Sequence, residues 1–354
     1  MEKKQSYIKF TINETINFHN SPTYVWEQTK IFKNKWIKVK SNSLNENLQF
    51  SQFEAALDTL APPWAPTDPT WTPDTIHNPL LETPLTYKEF NDALNSRKNC
   101  NSPGPDGISY QLLKNLPASY HLILIDIYNE MFEKNDYPSS WSDTYIHFIP
   151  KPNGNGLRPI ALTSCLLKIF EIIITRRMQC FLETKNLIPS SQSGFRKGKS
   201  CTDNLTIMSL DIHNAFSNKK DVLAAFLDVQ GAFPNVNNDI LLTKLAKVGC
   251  PKKVIQFLRF ITYERKIYSN QTGDSPRKVY KGVLQGGSSS AMSYIFYVAS
   301  ILQNLPPQIT ALQFADDIAL YIKSSKPHNS VKILEKAVET ISFNLLELGL
   351  ELAP

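Results

Sequence analysis

Leu312-Gln313-Phe314-Ala315-Asp316-Asp317-Ile318-Ala319-Leu320-Tyr321-Ile322 sets two apolar runs of strand length around two adjacent acids. Such a pattern describes a β-hairpin that carries Asp316 and Asp317 at its tip. Hairpin turns favour Asn-Gly or Asp-Gly because positive φ is easiest there, so Asp-Asp is a poor choice for turn geometry alone. Two neighbouring negative charges repel, and the pair becomes favourable when a divalent cation sits against it. A plain solvated turn is the everyday alternative.

Eighty-eight positions earlier, Asp228 ends the apolar run Val222-Leu223-Ala224-Ala225-Phe226-Leu227. A carboxylate at the open end of a buried strand is costly unless something positive meets it, although a helix cap would also account for it. Acids on two separate strands are what metal-dependent phosphoryl transfer needs, since carboxylates clamp two Mg²⁺ ions roughly 4 Å apart. The separation leaves room for a helix and another strand, as a split β-α-β arrangement requires. Between the acids, Gly282-Val283-Leu284-Gln285-Gly286-Gly287-Ser288-Ser289-Ser290 precedes the apolar Tyr294 to Val298. It reads as a loop feeding a helix whose N-terminus can face a phosphate, or as a linker. Lys151 and Arg158 bracket the turn Pro152 to Gly156, where two cations can grip a triphosphate or sit exposed.

Working outward, Thr86-Tyr87-Lys88-Glu89 has capping-box spacing and predicts a helix ending near Ser96. Ser102-Pro103-Gly104-Pro105-Asp106-Gly107-Ile108 is a shaped loop. Apolar spacing through Leu112, Leu113 and Leu116, then Ile123, Ile127 and Met131, predicts two helices buried on those faces. Thr144 to Ile149 alternates as a strand, and Leu166 to Phe181 reads as helix. Seven prolines within residues 61–84 mark an extended linker. It separates an arm, 1–60, from a main domain, 85–354. Lys30, Lys33, Lys35, Lys38 and Lys40 alternate with Trp26, Phe32 and Trp36 in the arm, an amphipathic helix or a nucleic-acid contact. Helices and short strands in alternation make the class α+β or α/β.

Composition narrows the functional classes. A chain of 354 residues with 42% hydrophobic content builds real cores in about two units. Net charge of +6 permits a polyanionic partner without demanding one. Five cysteines without C-x-x-C spacing indicate neither a zinc module nor a disulfide framework, and reduced intracellular thiols are the simplest account. No stretch reaches the roughly 18 apolar residues of a membrane span, and the first ten residues carry no apolar h-region. Nothing distinguishes nucleus from cytoplasm, and no segment points to a protein partner.

Taken in order, these segments resemble the reverse-transcriptase domain of non-LTR (LINE-like) retrotransposons, from about Leu80 onward. The similar segments are Ser102 to Ile108; Phe148-Ile149-Pro150-Lys151-Pro152 with Leu157-Arg158-Pro159-Ile160-Ala161-Leu162; Gln192-Ser193-Gly194-Phe195-Arg196-Lys197-Gly198 with Cys201-Thr202-Asp203-Asn204; Phe226-Leu227-Asp228 to Phe233; and Phe314-Ala315-Asp316-Asp317. The resemblance implies an α+β right-hand polymerase, with fingers over about 85–220 and a ferredoxin-like palm over about 221–354. It implies RNA-directed DNA synthesis with an RNA template, a DNA primer and dNTPs. Asp228, Asp316 and the Val229 carbonyl would hold two Mg²⁺ ions, and Asp317 would be an auxiliary acid. Phe233 would exclude a 2′-OH, the group that separates the two sugars. Lys151 and Arg158 would hold the triphosphate, and Gln285-Gly286 would line the nucleotide pocket. Where the family pattern has Pro before Gln-Gly, this chain reads Leu284, with Gly287 after, which should loosen the loop. The last residues, Leu348 to Pro354, resemble the start of a further palm motif, so the resemblance implies a fragment whose thumb is missing. An inactive truncated remnant that keeps the fold and at most binds nucleic acid is the competing expectation.

Overall fold

The computed structural model describes residues 50–61, 77–99, 102–150, 157–263, 265–269 and 273–354. The basic segment 24–40, residues 62–76 of the proline-rich stretch and Lys151 lie outside these described residues. Among them are eleven α-helices and two sheets, a mixture of α and β structure in which the two kinds of element alternate.

The first sheet grows from the alternating run. Strand β1 (Asp143–Pro150) pairs antiparallel with β2 (Leu157–Leu162), placing Ile149 opposite Arg158. Ile146 and Phe148 point inward as the alternation predicts. Later in the chain β4 (Arg265–Ser269) joins β1 in parallel and β5 (Gly273–Val279) pairs with β4, giving the order β2-β1-β4-β5. Helix α1 (Phe50–Leu60) covers this sheet: Leu57 is buried with Ile146, Phe148, Ile267 and Val279, and Phe53 and Phe148 bring their rings to 5.6 Å. Arg277 on β5 pairs with both Glu54 and Asp58. The part of the expected arm nearest the linker is therefore packed on the body.

A larger core surrounds α6 (Cys165–Thr184), whose Ile169, Phe170, Ile173, Ile174 and Leu182 are almost wholly enclosed. Helix α2 (Pro79–Glu82), capped by Asn78, buries Leu81, and α3 (Tyr87–Asn95) begins with the expected Thr86–Glu89 capping box. Arg177 of α6 ties this segment down: Nε donates to Glu89 Oε1 (2.7 Å) and Nη2 to Glu89 Oε2 (2.8 Å) and the Pro84 carbonyl (3.1 Å).

Helices α4 (Tyr110–Asn115) and α5 (Ala118–Lys134) form where expected but bury other faces. In α5 the core face is His121, Ile125, Tyr128 and Phe132, whereas Ile123 and Ile127 are exposed; in α4 Tyr110 and Leu113 are buried and Leu112 is exposed. Two apolar stripes compete on α5, and the one with aromatics wins because Tyr128 meets Phe170 edge-on at 5.3 Å and Phe90 at 6.1 Å. His121 Nε2 donates to the Leu113 carbonyl at 2.8 Å, which makes a polar residue admissible there.

The second sheet has the order β3-β7-β6 and is wholly antiparallel, built from β3 (Asp221–Leu227), β6 (Thr310–Phe314) and β7 (Asp317–Ser324). Helices α7 (Cys201–Ser217) and α11 (Pro327–Glu347) pack on it. The segment between β3 and β6 is richer than the expected helix and strand. It contains α8 (Asn238–Lys247), α9 (Lys252–Thr262), the β4–β5 hairpin and α10 (Ser290–Tyr297), because β4 finds its partner in β1 of the other sheet. No helix among the described residues is long and apolar enough to cross a membrane.

Arg177 is the polar anchor of the larger core, so Arg177→Met is expected to cost about 2–4 kcal/mol by leaving Glu89 and a run of carbonyls without their donor. Urea denaturation followed by circular dichroism measures it; a loss under about 1 kcal/mol would remove this role from Arg177.

Candidate active site

The expected hairpin forms, with a different turn. Phe314 pairs with Asp317, so the two-residue loop is Ala315-Asp316 and Asp317 already belongs to β7. Ala315 has φ +58°, a left-handed conformation that costs a residue with a Cβ about 1–2 kcal/mol. Strand β3 lies beside β7 with Leu227 opposite Ile318, which leaves Asp228 one step beyond the ladder, at the end where Asp316 and Asp317 emerge. The chain end holds Asp228 in place: Ala353 N–H donates to the Asp228 carbonyl (2.8 Å), Gln230 N–H donates to the Glu351 carbonyl (2.9 Å), and Val229 bridges Leu352. The sequence alone did not reveal this contact, because one short bridge leaves no periodic trace.

The acids repel one another. Burial pushes the Asp316 carboxyl above the ordinary carboxylate range, a backbone hydrogen bond opposes this, and the charges of Asp317 and Asp228 push it further up. None of the three takes part in an ion pair among the described residues. No group of three or more His, Cys, Asp and Glu side chains there is arranged to hold a metal by itself. Asp228, just past β3, and Asp316, in the β6–β7 turn, present carboxylate oxygens at the same end of the sheet, and the Val229 backbone carbonyl follows Asp228 in the chain. A hard cation that keeps its waters and binds through one or two carboxylates suits that set.

Two further segments close on the same place. Gly282 N–H donates to the Val236 carbonyl (2.8 Å) and Val283 N–H to the Phe233 carbonyl (2.9 Å), which ties the 282–289 loop to the turn after Asp228. Ala161 N–H of β2 donates to the Gln285 carbonyl (2.9 Å), so Gln285, Gly286 and the strand of Arg158 are joined. Gly282 must be glycine: φ is +81° and a Cβ would lie 2.4 Å from the Pro234 oxygen. The loop is anchored at its helix end. Buried Glu171 accepts from Ser289 N–H (2.8 Å) and Ser289 Oγ–H (2.6 Å), and the space beside Gly287 is filled by Ser290 and Glu171. Phe233 is half-buried, stacked on fully enclosed Tyr294 at 5.1 Å and met edge-on by Phe195 at 6.3 Å. The Tyr294 hydroxyl has no hydrogen-bond partner among the described residues, and burial, then the charges of Asp316 and Asp228, push it well above the ordinary tyrosine range.

The Gln192 to Arg196 segment supports the hairpin from the other side. Ser193 N–H donates to the Gln313 carbonyl (2.9 Å), Gln313 N–H to the Ser191 carbonyl (2.9 Å), and Asn204 Nδ2 of α7 to the Gln313 carbonyl (3.0 Å). Arg196 binds Glu183 of α6 through Nε at 2.8 Å and donates to the Gln192 carbonyl at 2.9 Å.

Compared with known proteins, residues 149–354 match the family described as Reverse transcriptase (RNA-dependent DNA polymerase). The chain belongs to the reverse transcriptase family. Its relatives are mobile-element proteins, as a LINE-like domain requires. It is 29% identical over 292 residues to the probable RNA-directed DNA polymerase from transposon BS of Drosophila melanogaster, covering 77% of this chain and 32% of that protein. It is 26% identical over 262 residues to the corresponding protein from transposon X-element of the same fly (70% and 28%), and 27% identical over 259 residues to the polymerase from mobile element jockey of Drosophila funebris (70% and 28%). This reverse transcriptase chain thus spans about a third or less of the length of these relatives.

The Ser102 to Ile108 loop is a buttress of the reverse transcriptase body at the start of α6. Ser164 Oγ–H donates to Asp106 Oδ2 (2.5 Å), and a Cβ on Gly104 would lie 2.5 Å from Ser164 N. It holds the junction of β2 and α6.

A carboxyl raised in the folded state destabilises the fold above its folded value and stops doing so as pH falls below its unfolded value. In EDTA at pH 7.5, Asp316→Asn is therefore expected to raise Tm by about 1–3 °C, a gain that vanishes near pH 4. Mg²⁺ should stabilise the wild type and not the variant; thermal denaturation in both buffers checks this, and an unchanged or lowered Tm in EDTA contradicts it.

Proposed function

We propose that this chain is the catalytic core of an RNA-directed DNA polymerase, extending a DNA primer on an RNA template with dNTPs. The observation that carries the reading is the meeting of Asp228 with Asp316 and Asp317 at one end of one sheet, unpaired to any cation of the described protein. In this reading the β1–β2 hairpin belongs to the fingers and the three-stranded sheet to the ferredoxin-like palm, while β4 and β5, from the palm half of the sequence, join the fingers hairpin through β4.

Asp228, Asp316 and the Val229 carbonyl would hold two divalent ions, Mg²⁺ by the hardness of the oxygen donors, with Asp317 an auxiliary acid. Ions held there would lower the pKa of the primer 3′-hydroxyl and offset the charge of the departing pyrophosphate. The protein's own part is positioning. Phe233, backed by Tyr294, presents a rigid ring where the sugar sits, so a ribose 2′-OH meets a wall that does not yield. Gln285 and Gly286 are both exposed, and Gly286 at φ +112° brings backbone close to Ala161, which leaves the loop surface open to a base or sugar. Arg158 is exposed on β2, where its guanidinium would grip a triphosphate; Lys151, the second cation expected there, lies outside the described residues.

Primer extension on an RNA template with dNTPs and Mg²⁺ tests the reading. Wild type should extend, and Asp228→Asn and Asp316→Asn should each lose about 10³-fold or more while remaining folded. A folded wild type that does not extend, or a variant that does, removes it. Phe233→Ala should leave dNTP extension measurable and raise relative rNTP incorporation at least about tenfold, a factor worth 1.4 kcal/mol of discrimination; an unchanged ratio would take the sugar-selecting role from Phe233.

A further inference from the structure

We propose that Gln192 is a positioning residue of the polymerase centre: its buried side-chain amide holds the Ala315-Asp316 turn in the left-handed conformation from which Asp316 meets Asp228. The inference rests on the polymerase reading and adds a residue that never touches substrate.

Gln192 is fully enclosed. Its Oε1 accepts from Ala315 N–H at 2.8 Å and from Gly194 N–H at 2.8 Å, and its Nε2 donates to the Ala315 carbonyl at 3.2 Å. One planar amide thus serves both backbone polar groups of the residue that carries the positive φ. Gln313 Nε2 adds a second donor to the same carbonyl at 3.1 Å. Each of these groups is buried, where an unmade bond is costly, so leaving the left-handed basin would strand several at once.

The residue type is specific. Glutamate could accept both N–H groups but could not donate to the Ala315 carbonyl. Methionine fills the same space and does neither, and asparagine is one methylene short. The amide is itself held, because the Gln192 backbone carbonyl receives Arg196 Nη1 and Arg196 is bound to Glu183 of α6. Gly194 completes the fit: a Cβ there would lie 2.3 Å from Ala315 N, so a side chain would displace the turn. The consequence reaches the acids because Asp316 is the other residue of the two-residue loop, and rotation at Ala315 re-aims its carboxylate.

A double-mutant cycle of Gln192→Met with Ala315→Gly tests this, since glycine enters positive φ freely and needs no clamp. The readouts are Mn²⁺ binding by electron paramagnetic resonance, the Mg²⁺ concentration for half-maximal primer extension, and hydrogen exchange of the 313–317 peptide. Gln192→Met should expose the Ala315 amide to exchange, weaken Mn²⁺ binding and raise the Mg²⁺ requirement about tenfold, with KM for dNTP within about twofold. Measured against Ala315→Gly alone, the same substitution should cost at least threefold less. Equal cost in both backgrounds, or wild-type metal binding in folded Gln192→Met, overturns the proposal. If Gln192→Met does not fold, Gln192→Glu takes its place, with a smaller metal defect in the same cycle expected and none overturning the proposal. A folded wild type that neither binds Mn²⁺ nor extends primers is a different result, because it removes the polymerase reading and this inference with it.

Discussion

Carboxylates gathered at one end of a small sheet repel, and the surrounding structure is arranged so that they cannot separate. Asp228 sits one step past its ladder and Asp316 in a two-residue loop, where flexible backbone would let each swing toward water. Instead the Asp228 backbone is bonded to Ala353 and flanked by the Val229–Leu352 bridge, while the loop is fixed at Ala315. The repulsion remains as the raised carboxyl of Asp316. Strain retained where the surroundings over-determine it is typical of functional sites, and in the polymerase reading proposed above a divalent cation would relieve it.

Three loops of irregular sequence act as struts around this centre. The Ser102 to Ile108 loop locks the start of α6, the Gln192 to Arg196 segment braces the hairpin against α6 and α7, and the 282–289 loop joins β2 to the turn after Asp228. All three anchor directly or through a neighbour on α6, which buries residues along its whole length from Cys165 to Leu182. A rigid helix enclosed by apolar contacts is the one element that can carry several polar anchors without moving, since interiors pack as densely as crystals. Glycine recurs in these loops because backbone must approach backbone, as at Gly194 and Gly282.

Much of this was legible in the residues. The strands around Asp228 and Asp316, the β1–β2 hairpin, the Thr86 capping box and α6 all follow from local periodicity, and local periodicity is what a sequence displays directly. The faces of α4 and α5 were not, since Ile123, Ile127 and Met131 make as regular a stripe as Ile125, Tyr128 and Phe132, and only the aromatic partners on α6 and α3 separate the two. The place of β4 and β5 was equally hidden, because a parallel partner 123 residues away leaves no pattern in either strand. Gln192 could be quoted as part of a motif, but nothing about a glutamine in sequence says which backbone it will bind.

The sequence by itself determined the local elements, the acids that end them and the family to which their order belongs, since each depends on neighbours within a few residues or on motifs read in line. Only the tertiary structure decided which acids meet, which stripe is core, and that Ala315 turns left-handed. Those outcomes are set by hydrogen bonds and packing between residues more than a hundred positions apart, such as Gln192 with Ala315, whose energies depend on geometry that no local pattern encodes.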